Sequence, residues 1–206
     1  MWQTNIFYEE REIEGERLEL TDKTGNYYLG PNLTLRNCTI VLRVSARWLH
    51  ILPTRFIDCT FQVKQELKNF RWLRATLKNC RFTGRLLGCE FGHWPHLFDG
   101  WEHGAIENCD FSEARLDACR FHGCDMSTLR LPRWPCFTFL DPIGRSREFN
   151  HVKWPELFGA VIVENIHDQP PSTVALTYHA PSVAKRLETT AEELRAVIEK
   201  LEGIVY

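Results

Sequence analysis

The chain has 206 residues, 44% of them hydrophobic and 25% charged, with a formal net charge of -2. That is the composition of a soluble globular protein of one domain, or one domain with a small appendage. Charges interrupt every apolar run short of the roughly 18 residues a membrane span needs, and residues 1–10 lack the basic and apolar regions of a secretory signal. A cytoplasmic, membrane-free protein is expected, in which the eight cysteines do not form a disulfide framework.

In chain order, residues 1–29 hold three basic and seven acidic side chains, and residues 30–90 hold eleven and three. The first segment, with Glu9, Glu10, Glu12, Glu14 and Glu16, is read as an acidic cap folding over a basic middle.

From residue 30 to 136 a repeat governs the sequence. Cys38, Cys59, Cys80, Cys89, Cys109, Cys119 and Cys124 each stand two residues before a large apolar side chain, as in Asn79-Cys80-Arg81-Phe82 and Asn108-Cys109-Asp110-Phe111. In an extended chain that spacing puts both on one face. Ile106, Phe111, Leu116, Phe121, Met126 and Leu131 recur every five residues. A period of five fits neither a helix nor a continuous strand, so the chain must turn after each short extended piece, and four pieces close a coil. Leu35, Phe56 and Leu77, and likewise Ile40, Phe61 and Phe82, recur at 21 residues: one coil per recurrence. The longer step from Cys80 to Cys109 is accounted for by a loop over residues 92–104.

The run Cys109-Asp110-Phe111-Ser112-Glu113-Ala114-Arg115-Leu116-Asp117-Ala118-Cys119-Arg120-Phe121 resembles the pentapeptide-repeat proteins, with Cys favoured over Ala and Phe over Leu. The resemblance implies an all-β solenoid, a right-handed quadrilateral β-helix, here of about four to five coils. In such a tube the cysteines are small inward spacers beside large rings.

Residues 137–206 are read as an irregular stretch, a strand over 158–163, a short helix over 182–187, and a terminal helix opened by a capping box of Thr190 and Glu193. Leu194, Val197, Ile198 and Leu201 follow at helical spacing, and Gly203 is its stop. The apolar face of that helix needs cover, from the open end of the tube or from a second copy in a homodimer.

Chemistry is sparse. No Cys-x-x-Cys pair, phosphate loop, dinucleotide fingerprint or nucleophile elbow occurs, so neither a metal nor a cofactor is expected. Cys136 lies outside the repeat, between Pro135 and Phe137, and is read as packing. An enzyme is the disfavoured class. Recognition is expected at the loop, where Trp94, His96, Phe98, Trp101 and His103 gather, protruding aromatics being typical anchors; the alternative is that the rings fold back over a corner of the tube. The resemblance implies a protective protein. A toxin-neutralising immunity protein is the first reading. The second is a DNA-mimicking protector of topoisomerase (gyrase), for which the chain is insufficiently acidic, and the third is nucleic-acid binding through the basic block.

Overall fold

The structure is a computed structural model that describes residues 4–95, 97 and 99–206. It is a β-solenoid of about four turns with stacked parallel strands and a few helices near the C-terminus. Strands β1 (Asn5–Tyr8), β2 (Arg11–Glu14) and β3 (Arg17–Leu20) form its first coil. β4 (Asn26–Leu29), β5 (Leu33–Arg36) and β6 (Thr39–Leu42) form the second, and β7 (Leu49–Ile51), β8 (Thr54–Ile57) and β9 (Thr60–Lys68) the third. β10 (Ala75–Lys78) and β11 (Arg81–Leu87) follow, then β12 (Glu90–Gly92), β13 (Ala105–Glu107), β14 (Asp110–Asp117) and β15 (Cys119–His122).

Register confirms the spacing argument residue by residue. Ile13, Leu35, Phe56, Leu77 and Ile106 are successive partners across β2, β5, β8, β10 and β13. Leu18, Ile40, Phe61 and Phe82 form the next inward column, Leu67, Leu86 and Leu116 a third, and Trp72, Phe91 and Phe121 belong to a fourth. The rings stack along the columns: Phe61 on Phe82 at 4.6 Å and Phe82 on Phe111 at 4.7 Å, with Phe91 meeting Phe111 edge-on at 5.1 Å.

Between two such columns only a small side chain fits, and the thiols take that room. Seven of the eight cysteines are buried, all eight are free, and most donate to a carbonyl of the coil before, as Cys59 Sγ does to Leu35 O and Cys80 Sγ to Phe56 O, each at 3.4 Å. Burial pushes the thiols of Cys38 and Cys119 up, Cys124 to about 12 and Cys136 to about 11. A thiol so raised is a poor nucleophile at neutral pH.

The turn before this cysteine column is made by Asn37, Asp58, Asn79 and Asn108, whose φ values of 50, 54, 54 and 52° lie in the left-handed region that Asn and Asp tolerate better than other side chains. Asn79 Nδ2 reaches Asp58 Oδ1 at 2.8 Å, tying adjacent coils at this corner.

Two expectations are corrected. Residues 1–29 do not form a separate cap: from Asn5 onward they are the first coil and the opening strand of the second. Arg11–Glu14 and Arg17–Leu20 alternate charged and apolar residues, so Ile13 and Leu18 continue inward columns while the carboxylates face out. Residues 158–163 are not a strand. A short helix, α2 (Glu156–Phe158), follows α1 (Ser146–Asn150) and runs into a wider turn over Gly159–Val163, closed by Glu164 N to Gly159 O at 2.9 Å. Phe158, Val163 and Ile166 are buried while Val161 is exposed, a helical spacing that overrides the strand preference of Val161-Ile162-Val163.

The stretch after the solenoid is also more ordered than expected. β16 (Cys136–Leu140), β17 (Thr173–His179) and β18 (Ile204–Val205) are antiparallel, and β17 pairs with β15, so the last solenoid strand continues into a sheet of order β12-β15-β17-β16-β18. Asp117, 5% exposed, accepts from Arg186 Nη1 at 2.6 Å across this junction.

The helices α3 (Ala180–Arg186) and α4 (Ala191–Ile198) stand close to where the sequence placed them, α4 ending at Ile198 rather than running through Leu201 to Gly203, with both bonds of the Thr190–Glu193 capping box formed. Leu194 and Ile198 are fully buried in a second core with Phe137, Phe139, Phe149 and Phe158. The apolar face of α4 is thus covered by its own chain, and neither the tube end nor a second copy is needed to cover it.

Candidate protein-interaction surface

The loop over residues 92–104 was the expected recognition element, and its residues divide. Trp94 folds back: its ring lies on the imidazole of His122 with centroids 4.5 Å apart and an interplanar angle of 22°. Trp101 packs edge-on against His93 at 4.9 Å, and His93 Nδ1 lies 3.3 Å from Gly104 O. Trp101 and His103 form a single tight turn. His103 is exposed, its carbonyl accepts from Thr76 Oγ1 at 2.9 Å, and it borders a shallow groove of about 150 Å³ with Thr34, Arg55 and Thr76. His96 and Phe98 lie outside the described residues. Of the described loop residues, Trp94 thus packs one face against the solenoid while staying half-buried.

His122 is fully buried, and its Nε2 has no hydrogen-bond partner among the described residues, while Nδ1 faces Ser172 Oγ at 3.1 Å. Burial, and secondarily the charge of Arg120, lowers its pKa from 6.5 to about 4. A histidine whose folded pKa is depressed binds its proton more readily when unfolded, so stability is lost as the pH falls through the window between those values. Stability measured by urea unfolding is expected to fall by up to about 3 kcal/mol from pH 7 to pH 4. In His122→Phe that slope should shrink to what His179, shifted the same way by burial, and carboxylates held down by hydrogen bonds, such as Glu148 and Glu193, leave behind. An unchanged slope in the variant would contradict this origin.

A second surface was not singled out from the sequence, although the coil step encodes it. Phe7, Tyr28, His50 and Arg71 are spaced by 21 or 22 residues, the same step as the inward columns but on outward positions. Phe7 pairs in register with Tyr28 and Tyr28 with His50. Their rings stack on the outside of the wall at 4.7 and 4.6 Å, with interplanar angles of 12 and 16°, and Phe7 is 51% exposed. A parallel row of amides runs beside them: Asn26 Nδ2 donates to Asn5 Oδ1 at 3.0 Å, and Asn26 Oδ1 lies 3.2 Å from His50 Nε2.

Further along the wall Arg71 bridges to Glu90, and Glu90 pairs in register with Arg120. Arg71 Nε donates to Glu90 Oε2 at 2.9 Å, and Arg120 Nη1 lies 3.6 Å from Glu90 Oε1. Two guanidinium groups thus share one mostly buried carboxylate, and the site stays positive. Arg120 is held in place by Gln169 Oε1 at 2.8 Å.

The basic block of the sequence is partly neutralised between coils. Arg36 pairs with Glu12, Lys78 with Glu107 and Arg81 with Glu113. Arg43, Arg55, Lys64 and Arg85 are exposed and form no ion pair among the described residues. Among those residues, no cluster of three or more His, Cys, Asp or Glu is placed to hold a metal ion, and no helix is long and apolar enough to cross a membrane. Compared with known families and curated proteins, the chain matches no family model and no curated relative.

Proposed function

We propose that this chain is a non-enzymatic, protein-binding β-solenoid of the pentapeptide-repeat type, a right-handed quadrilateral β-helix that works as a toxin-neutralising immunity protein in the cytoplasm. The observation that carries the binding role is the outward wall, where the stack of Phe7, Tyr28 and His50 meets the Arg71–Glu90–Arg120 cluster. A rigid wall presents such side chains with little entropy left to lose on binding. Seven of the eight thiols lie buried, out of reach of a substrate, which supports recognition over catalysis. Protective binding is the role the family resemblance brings.

Co-expression with toxins of its own host is the test. Restored growth with one of them, together with a complex that survives gel filtration, is the expected result. If no toxin is neutralised and the protein instead protects gyrase in a supercoiling assay, the topoisomerase reading replaces this one. Affinity for DNA that collapses as salt rises would indicate the nucleic-acid reading.

A further inference from the structure

The outward stack does not end at a chemically neutral place. β7 is the edge of the sheet β1-β4-β7, and the next rung of the ladder by the 21-residue step, Arg71, bridges away from β7 toward Glu90. The wall is therefore open between these two coils. Trp72 gives the physical reason. It is fully buried at an inward position following Leu29 and Ile51, and it meets Phe61, Phe70 and Phe82 at 4.9, 5.1 and 5.4 Å. An indole in a column of Leu and Ile needs more room than one rung provides.

The opening is a cleft of about 410 Å³ lined by Leu49, His50, Ile51, Phe70 and Arg71, a size within the range of small-ligand pockets. Tyr28 covers one face of the His50 ring. The cleft lies on the other side of β7, so the ladder Phe7–Tyr28–His50 stops one ring short. The floor is apolar, Leu49, Ile51 and Phe70 all being buried, and Arg71, its side chain 57% exposed, stands at the rim. Beyond Arg71 begins a second cleft of about 460 Å³ that contains Arg120 and Glu90.

We propose that the cleft between β7 and residues 70–74 receives one aromatic side chain of a protein partner, and that acidic residues flanking that side chain pair with Arg71 and Arg120. A ring in the cleft extends the existing stack by one member, with His50 on one side and the Arg71 guanidinium available for a cation–π contact. Charge complementarity selects the flanking residues, since residues 30–90 carry eleven basic against three acidic side chains, and Arg71 and Arg120 share a single carboxylate. This inference rests on the protein-binding reading above and adds the chemistry of the partner to it.

The test is a titration of the full ¹⁵N-labelled chain with the synthetic peptide acetyl-Glu-Asp-Trp-Asp-Glu-amide, followed by amide shifts. Shifts concentrated at residues 49–52 and 70–74 are expected. Affinity should drop about tenfold when the peptide Trp is replaced by Ala, and by a similar factor in Arg71→Glu and in His50→Ala, a tenfold change being about 1.4 kcal/mol. Circular dichroism of both variants checks that the fold is kept, and the Ala peptide tests the same contact on the unaltered protein. No saturable shift at millimolar peptide, shifts elsewhere, equal binding of the Ala peptide, or tighter binding of oligothymidylate at the same amides would each overturn the proposal. A toxin complex that forms equally well with Arg71→Glu would sink this site and leave the protein-binding function standing.

Discussion

Phe111→Asp is expected to leave no cooperatively folded solenoid. The Phe111 ring is fully buried and lies 4.7 Å from Phe82, 5.1 Å from Phe91 and 5.5 Å from Phe121, so it belongs to one column and braces another. Removing a buried Phe costs about 3–5 kcal/mol. The introduced carboxylate must be buried without a partner, or protonated, at several kcal/mol more. Together these approach the whole stability of a typical domain, about 5–15 kcal/mol. Far-ultraviolet circular dichroism and gel filtration should show an unfolded or aggregated chain, and Phe111→Leu, which keeps the burial, should fold and lose only part of that stability. A soluble Phe111→Asp protein with a sharp thermal transition would contradict the inward placement of the five-residue period.

Gly84→Ala is the second large effect, and it adds only a methyl group. Gly84 has φ of 98°, outside what L side chains readily adopt, and a Cβ there would stand 2.0 Å from Val63 O in the coil before. The carbonyl cannot retreat, because β9, β11 and β14 are paired around it, with the register slipping directly after Gly84 where residues between Val63 and Leu67 bulge out. The strained backbone alone costs about 1–3 kcal/mol, and separating two stacked strands adds to it. A loss of about 3 kcal/mol or more is expected in chemical denaturation, with the midpoint moved and the slope retained. For comparison, Gly15 has φ of 68°, and a methyl group there would meet nothing within 4 Å, so Gly15→Ala should cost only the conformational part. Equal losses at both glycines would show that the clash at Val63 plays no role.

Most of the tube was legible because its pattern is written by sterics that act locally. The corner directly before the inward Cys column is left-handed in each coil, and Asn37, Asp58, Asn79 and Asn108 mark it. The first coil was missed because it has no cysteine and the steps from Ile13 to Leu35 and from Leu18 to Ile40 are 22 residues rather than 21, so Ile13 and Leu18 looked like isolated apolar residues in an acidic segment. The capping box of α4 was legible for the same local reason. Strands β16 and β17 were not, because Thr138 meets Thr177 across 39 residues and nothing near either residue in sequence selects the other. The interaction surface shows both cases. Trp94 reads as an exposed anchor until His122, far along the chain, is placed beneath it. Phe7, Tyr28 and His50 were accessible to the same coil arithmetic as the inward columns, but outward positions carry no packing constraint that draws attention to them.

The two ends of the solenoid differ. At the C-terminal end β17 runs antiparallel along β15 and occupies its backbone groups, while β13 and β14 are the last strands of their sheets. At the other end β1, β2 and β3 are each the last strand of their sheets, and the side chains nearest those edges include Glu9, Glu10, Glu12, Glu14, Glu16 and Glu19. Two copies approaching end to end would bring these carboxylates together, a repulsion that works against the edge pairing by which parallel coils would otherwise grow into a filament. The acidity of the first segment thus disfavours end-to-end stacking of two copies through β1, β2 and β3.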